Sequence, residues 1–292
     1  LVLRRQRQMC IRDSPIAIGS QTGGSVLRPA SFTGILGFKP TFGTISRSGM
    51  SPISQRLDHP GIYANCVEDI DLVASVILSY DSNDLDMIQN YQYKRNVNLN
   101  KPIKFGFVRG PVWNFGEEDM QSGIEDFVKK TSLDVEELDL GRDFNDAAKA
   151  HEIIMNGSIV NSLINYYQAD KSNLHPFTVK RIEAGIPVSA SDYVSAIEKA
   201  KKMEQILGQV FLKYDAIITP ASTGQAPRDL MNTGNAIFNG YWTMMGVPAI
   251  SLPFLKGKDN LPIGIQFITN WNEDLKLLEI CKYILKKEKL AD

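Results

Sequence analysis

GSQTGGSVLRPASFTGILGFKPTFGTISRSGMSP, residues 19–52, follows the apolar run Ile16-Ala17-Ile18 and places three glycines within the six positions that end at Gly24. Glycine lets the backbone adopt φ > 0 and approach a ligand closely, and successive N–H groups in such a turn form a concave anion site. A strand that enters this loop, with a further apolar run at Ile35 to Lys39 beyond it, opens an α/β layered domain. Two chemistries suit the loop. It can bind phosphate, although it has neither the Gly-Lys-Ser/Thr ending of a P-loop nor GxGxxG spacing. Alternatively its N–H groups serve as an oxyanion hole, with Ser25 as the nucleophile.

Outward from this loop, short apolar runs bounded by Gly and Pro predict strands at Ile16 to Gly19, Ile35 to Lys39, Lys104 to Val108, Val135 to Leu140, Ala216 to Thr219, Ala249 to Pro253 and Ile263 to Ile268. Helical spacing predicts helices over Val67 to Ser79, Glu118 to Lys130, Asn145 to Tyr167, Asp192 to Leu212, Ile237 to Met245 and Asp274 to Lys287. The alternation argues for a largely buried mixed sheet covered by helices. Ser82 to Lys101, rich in Asn, Asp, Tyr and Gln, reads as a surface excursion within one domain.

The chain of 292 residues is 43% hydrophobic and 22% charged, an ordinary globular composition that excludes collagen, a bare coiled coil and disorder. Its formal net charge of −1 gives no basic footprint for nucleic acid and no polybasic signal for a membrane, so a small-molecule ligand is expected. No apolar run reaches the ~18 residues of a membrane span. Cys10, Cys66 and Cys281 form no CxxC pair, which implies neither a disulfide framework nor a zinc site and fits a reducing, cytoplasmic compartment.

A serine hydroxyl needs a neighbouring base. His59, His151 and His175 are the only histidines, none lies in a partner motif, and there is no GxSxG elbow, so a Ser-His-Asp hydrolase is disfavoured. Each histidine reads as a core or surface residue. Phe238, Tyr241, Trp242, Met244 and Met245 read as core. Arg28, close after the candidate nucleophile, reads as an internal ion pair that holds the loop.

Residues 19–52, continuing into LDHPGIYANCVEDIDL at 57–72, resemble the amidase signature family, and the match is nearly gapless. YDAIITPAS at 214–222, TGNAIFNGYWTMMGVPAISLP at 233–253 and LPIGIQFI at 261–268 resemble the family's C-terminal strands. The resemblance is strong over 15–80 and 205–285 and faint between them, in the part that tends to shape substrate choice. It implies an α/β amidase-signature fold, a mixed β-sheet core covered by α-helices, without cofactor or metal. The implied reaction is hydrolysis of a small-molecule carboxamide by a Ser, cis-Ser, Lys triad whose nucleophile is Ser25, with the N–H groups of Thr22, Gly23, Gly24 and Ser25 as the oxyanion hole. Glycine at 23 and 24 is expected to clear the carbonyl's approach. A homo-oligomer is compatible with this reading.

The cis-serine and lysine of that family precede the nucleophile. Here no Lys precedes Lys39, which lies in the GFKPT turn and reads as structural. Residues 1–14, LVLRRQRQMCIRDS, resemble a translated sequencing-adapter tail, so they are expected to be a non-native extension and 15–292 the C-terminal portion of an amidase domain. A serine triad stripped of its base and relay loses on the order of 10⁶ in turnover. The chain as written is therefore expected to be nearly inactive, with apolar surface exposed where family elements are missing. Gln21 replaces an Asp common in transamidase subunits and points to a free-standing amidase. Alternatives are the glutamine-hydrolysing A subunit of a tRNA-dependent amidotransferase and, from another class, a non-catalytic anion-binding module. Asp58 and Gly61 are expected in a turn that sets geometry ahead of the Val67 helix.

Overall fold

The apolar runs that flank the glycine loop pair into one sheet. The computed structural model describes residues 14–93, 99 and 102–289. The expected extension at 1–14 lies, except for Ser14, outside the described residues, as do Cys10 and part of the 82–101 excursion.

Eight strands form a mixed sheet: β1 (Ile16–Gln21), β2 (Leu36–Lys39), β3 (His59–Ala64), β4 (Lys104–Phe107), β5 (Asp134–Glu137), β6 (Ala216–Pro220), β7 (Ala249–Lys256) and β8 (Pro262–Ile268). Their spatial order is β1-β3-β2-β7-β8-β6-β4-β5. The pairs from β1 through β6 are antiparallel, and β6-β4 and β4-β5 are parallel. The centre of the sheet is buried on both faces, which is why β6, β7 and β8 read as nearly continuous apolar runs.

Eight α-helices accompany it among the described residues: α1 (Leu27–Thr33), α2 (Val67–Ile77), α3 (Glu118–Lys130), α4 (Ala147–Asp170), α5 (Pro176–Gly185), α6 (Ala190–Val210), α7 (Ile237–Met244) and α8 (Asp274–Lys289). Sequence logic accounts for their ends. Helix α3 carries Glu118 and Asp119 in its first turn and Lys129 and Lys130 in its last, which complements the helix dipole. Helix α6 opens with a capping box in which the Asp192 N–H donates to Ser189 Oγ at 3.0 Å. Helix α1 packs over β2, β7 and β8, and α4 packs against α5, α6 and α7. Phe38, Ile62, Phe105, Phe238, Trp242, Ile250 and Phe267 belong to the main core, so the aromatic group on α7 is core, as its spacing implied. Outside the core, Leu72 and Val76 on α2 and Ile18 on β1 stand exposed.

Three elements differ from the sequence reading. The expected LDHPG turn is instead strand β3, lying between β1 and β2. Pro60 pairs only with Ser20 of β1, beyond the last β2 pair at Ile62, so its missing N–H costs the ladder little. Gly61 faces Ser25's neighbour Val26: a Cβ there would lie 2.8 Å from both Phe38 O and Val26 Cγ2. Its role is close packing within the sheet. Helices α1 and α5 were not anticipated. The first has seven residues with Pro29, Ser31 and Thr33 among them, and it stops where Gly34 takes φ 71° and donates its N–H to Ala30 O at 3.0 Å.

Candidate active site

Strand β1 delivers Gln21 to the end of the sheet, and the chain then turns through Thr22, Gly23, Gly24 and Ser25 into α1. Gln21 is fully buried and organises the turn. Its Oε1 accepts the N–H groups of Val26 at 2.8 Å and Leu27 at 3.0 Å, two first-turn donors that α1 itself cannot satisfy. Its Nε2 donates to Thr243 Oγ1 of α7 at 2.8 Å. Having accepted that bond, the Thr243 hydroxyl donates to Gly23 O at 2.6 Å, with Asn239 O a second acceptor at 3.0 Å.

Every carbonyl of the turn is engaged. Thr22 O accepts from His151 Nε2 of α4 at 3.1 Å, Gly24 O from the Arg28 N–H at 3.0 Å, and Ser25 O from the Tyr63 hydroxyl at 2.7 Å. By contrast, the N–H groups of Gly23, Gly24 and Ser25 form no hydrogen bond among the described residues, nor does Ser25 Oγ. Ser25 is partly exposed. The arrangement leaves a partly exposed serine beside a row of unspent backbone donors, with Gly23 and Gly24 themselves buried.

Packing requires glycine at 24, where a Cβ would sit 2.4 Å from Asn239 Oδ1 and 2.9 Å from Ala236 Cβ; at Gly23 a Cβ would sit 3.2 Å from the flexible end of Met155, a tight contact that a small shift relieves. Their backbone is pressed against α4 and the start of α7. Thr22 adds a further anchor: its hydroxyl donates to Asp58 Oδ1 at 2.6 Å, while Asp58 Oδ2 accepts the N–H groups of Ile53 and Ser54. Beside Asp58 opens a cleft of about 930 Å³ whose lining includes Arg47, Met50, Gln55, Ser158 and Tyr193. Arg47 is neutralised by Asp84 at 3.0 Å and Asp86 at 2.5 Å.

The titratable groups near the loop fall into separate environments. Enclosure pushes the His151 imidazole down to about 4, so it is neutral at pH 7 and carries its proton on the Nε2 that faces Thr22 O. His59 is buried and held well below the usual imidazole range by desolvation and by Lys39 nearby. His175 is exposed and accepts the Phe177 N–H at the start of α5. Burial lowers the Lys39 ammonium to about 7, with Asp274 acting in the opposite direction. Its Nζ donates to Pro40 O at 3.1 Å and Val247 O at 2.5 Å, which fits a structural lysine. Cys66 and Cys281 carry free thiols. Among the described residues no cluster of three or more His, Cys, Asp or Glu could hold a metal ion, and no helix is long and apolar enough to cross a membrane.

The sequence pattern thus places Thr22, Gly23, Gly24 and Ser25 together, as their adjacency requires. What it missed are the residues that hold them: Asp58 and Tyr63 from β3 and its approach, His151 from α4, and Thr243 from α7. The sequence marks Gln21 as a substitution but not as the cap of α1; the signal it carries is an amide side chain at the end of a strand, six residues before the helix.

This sheet and loop define a class. The family model described as Amidase matches residues 10–278, and the chain belongs to that family. The A subunit of glutamyl-tRNA(Gln) amidotransferase from Agathobacter rectalis is 31% identical over 291 residues, covering 87% of this chain and 58% of that protein. The protein of the same name from Fusobacterium nucleatum subsp. nucleatum is also 31% identical, with coverages of 94% and 64%. Thus the chain spans about three fifths of the length of these curated relatives. Among solved structures, a crystal structure of an amidase shares the fold with a TM-score of 0.78 at 21% identity, covering 91% of this chain and 61% of that one. The A subunit of glutamyl-tRNA(Gln) amidotransferase from Thermotoga maritima matches with a TM-score of 0.70 at 27% identity, covering 90% and 60%.

Proposed function

We propose that this chain carries the nucleophile half of an amide-hydrolysing site, with Ser25 as nucleophile and the N–H groups of Thr22, Gly23, Gly24 and Ser25 as oxyanion hole. The observation that carries the reading is the coincidence of a partly exposed Ser25, whose hydroxyl has no partner among the described residues, with backbone donors at 23, 24 and 25 likewise left without partners, inside a family motif. In the reaction, Ser25 Oγ attacks the amide carbon and gives up its proton to a base. The carbonyl oxygen becomes an oxyanion facing those donors. Collapse of the tetrahedral adduct breaks the C–N bond, the amine leaves with a proton, and water then hydrolyses the acyl-serine. The resemblance assigns the base to a cis-serine and a lysine that map onto none of the described residues. Lys39 is committed to two carbonyls and is not their substitute.

The substrate class we propose is a small neutral carboxamide: the cleft joined to the loop through Asp58 holds Arg47 already paired with two aspartates, leaving no unbalanced cation for a substrate carboxylate. We place the protein in the reducing cytoplasm, with self-association compatible with the fold and no cofactor in the chemistry. A second reading is the A subunit of a tRNA-dependent amidotransferase, favoured by 31% identity to proteins of that name. Gln21 argues for the free-standing form.

Treatment with a fluorophosphonate, in which Ser25 Oγ forms a bond to phosphorus and fluoride leaves, followed by peptide mass spectrometry, tests the assignment. Slow modification at Ser25, absent in Ser25→Ala, is expected, because the base that would activate the hydroxyl is not among the described residues. Thermal protection by inorganic phosphate with no labelling of Ser25 would instead favour an anion-binding module. Ammonia release from glutamine in preference to simple carboxamides would favour the amidotransferase reading.

A further inference from the structure

Two residues far from the glycine motif in sequence control where its N–H groups point. In a trans peptide the C=O of one residue and the N–H of the next lie in one plane and point in opposite directions. Fixing a carbonyl therefore fixes the following N–H on the other side. The unit joining Thr22 to Gly23 has its carbonyl held by His151 Nε2 at 3.1 Å, and the unit joining Gly23 to Gly24 has its carbonyl held by Thr243 Oγ1 at 2.6 Å.

The unit joining Ser25 to Val26 shows the same rule operating within this turn. Its carbonyl accepts from Tyr63 at 2.7 Å, and its N–H, on the opposite side, meets Gln21 Oε1 at 2.8 Å. There the N–H finds a protein acceptor. At Gly23 and Gly24 it finds none among the described residues.

We propose that His151 and Thr243 are positioning residues that aim the Gly23 and Gly24 N–H groups at the oxyanion by gripping the Thr22 and Gly23 carbonyls from behind. This rests on Ser25 being the nucleophile. Glycine makes such a grip necessary, because residues without Cβ have the widest choice of φ and ψ and a free Gly-Gly unit would rotate its donors away. Each grip also polarises the peptide it holds, which strengthens the N–H at the other end as a donor. The two grips come from different helices, α4 and α7, so the donors are set by tertiary packing and not by the loop alone.

The test uses the full chain with phenylboronic acid as probe. Ser25 Oγ forms a bond to boron, its proton passes to water, and no bond to boron breaks, so the boron becomes a tetrahedral anion with one of its hydroxyls at the N–H donors. Boron NMR distinguishes this species from the free trigonal acid. A tetrahedral signal lost in Ser25→Ala is expected. Thr243→Val and His151→Phe, which remove the donors, are expected to weaken binding about tenfold each, the size of one neutral hydrogen bond. Thr243→Ser and His151→Gln, which keep a donor, are expected to restore it, a rescue that a packing role alone would not produce. Should the donor-less variants lose a cooperative unfolding transition, glycine-selective ¹⁵N spectra of the unmutated chain decide: the Gly23 and Gly24 amides should shift when the boronate binds. Absence of any Ser25-dependent tetrahedral signal overturns the nucleophile reading and this inference with it. A normal signal with unweakened Thr243→Val and His151→Phe, or with unmoved Gly23 and Gly24 amides, overturns this inference alone.

Discussion

The Thr22 hydroxyl and the Asp58 carboxylate meet at 2.6 Å across 36 residues of sequence, and the other carboxylate oxygen accepts the Ile53 and Ser54 N–H groups at 2.8 and 2.9 Å. One side chain thereby ties the nucleophile loop to the segment bordering the adjacent cleft. Asp58→Ala removes both carboxylate oxygens and leaves the Ile53 and Ser54 N–H groups without their acceptor. It is expected to destabilise the fold by about 1–3 kcal/mol, the cost of a buried donor left unmade, and to slow labelling of Ser25. Urea unfolding with an unchanged midpoint would contradict this role.

Gln21 separates capping from loop geometry. In Gln21→Leu the Val26 and Leu27 N–H groups lose their buried acceptor, with an expected loss of about 2–4 kcal/mol. Gln21→Glu keeps both acceptor bonds but cannot donate to Thr243, whose hydroxyl then turns toward the carboxylate and away from Gly23 O. This variant is expected to fold and yet label more slowly at Ser25. Equal labelling rates in Gln21→Glu and the parent chain would refute the separation.

Lys39 gives a basic-side pH signature. Its folded value of about 7 lies below the unfolded value near 10.5, so between these the unfolded chain binds the extra proton. Stability contributed by this group therefore rises as pH increases from about 7 toward 10.5, and the penalty is complete below 7. Lys39→Met should remove that rise while Ser25 is still labelled. If labelling is abolished in a folded Lys39→Met protein, Lys39 is more than structural.

The acid side is governed by His59 and His151, both held below the ordinary imidazole value by burial. From pH 6.5 downward the unfolded chain takes up protons that the folded chain refuses, so their contribution makes stability fall with falling pH. For His151 the fall continues to about pH 4. The thermal midpoint of His151→Gln is expected to decline less steeply over this window than that of the parent, as calorimetry at several pH values can establish.

How far these features could be read without coordinates depends on how local their causes are. Helix α3 was legible to the residue because its dipole-matched ends and apolar stripe are local, whereas β6, β7 and β8 were legible as strands but ran past their expected ends by one to three residues, because burial on both faces leaves a nearly continuous apolar run without marking where pairing stops. Strand β3 was hidden because His59, Pro60 and Gly61 have turn chemistry, and only the one-sided pairing of Pro60 lets them lie in a sheet. Helix α5 carries a start signal, Pro176 at its first turn after His175, that could have been read. In the site, spacing revealed Ser25 and its glycines, whereas His151 and Thr243 reach the loop from 129 and 220 residues away and leave no periodic trace.

The bond from Thr243 to Gly23 spans 220 positions, and that from Gln21 to Thr243 spans 222. Closing so long a loop carries a large entropic cost that must be met before the contact contributes anything, and contacts of this separation slow folding. The reactive turn is therefore expected to mature after strands β7 and β8 have paired, and to be lost early when α7 loosens. During refolding, pulses of a serine-directed probe should modify Ser25 later than the main chain acquires its helical circular dichroism; simultaneous appearance of the two would show that the turn assembles locally.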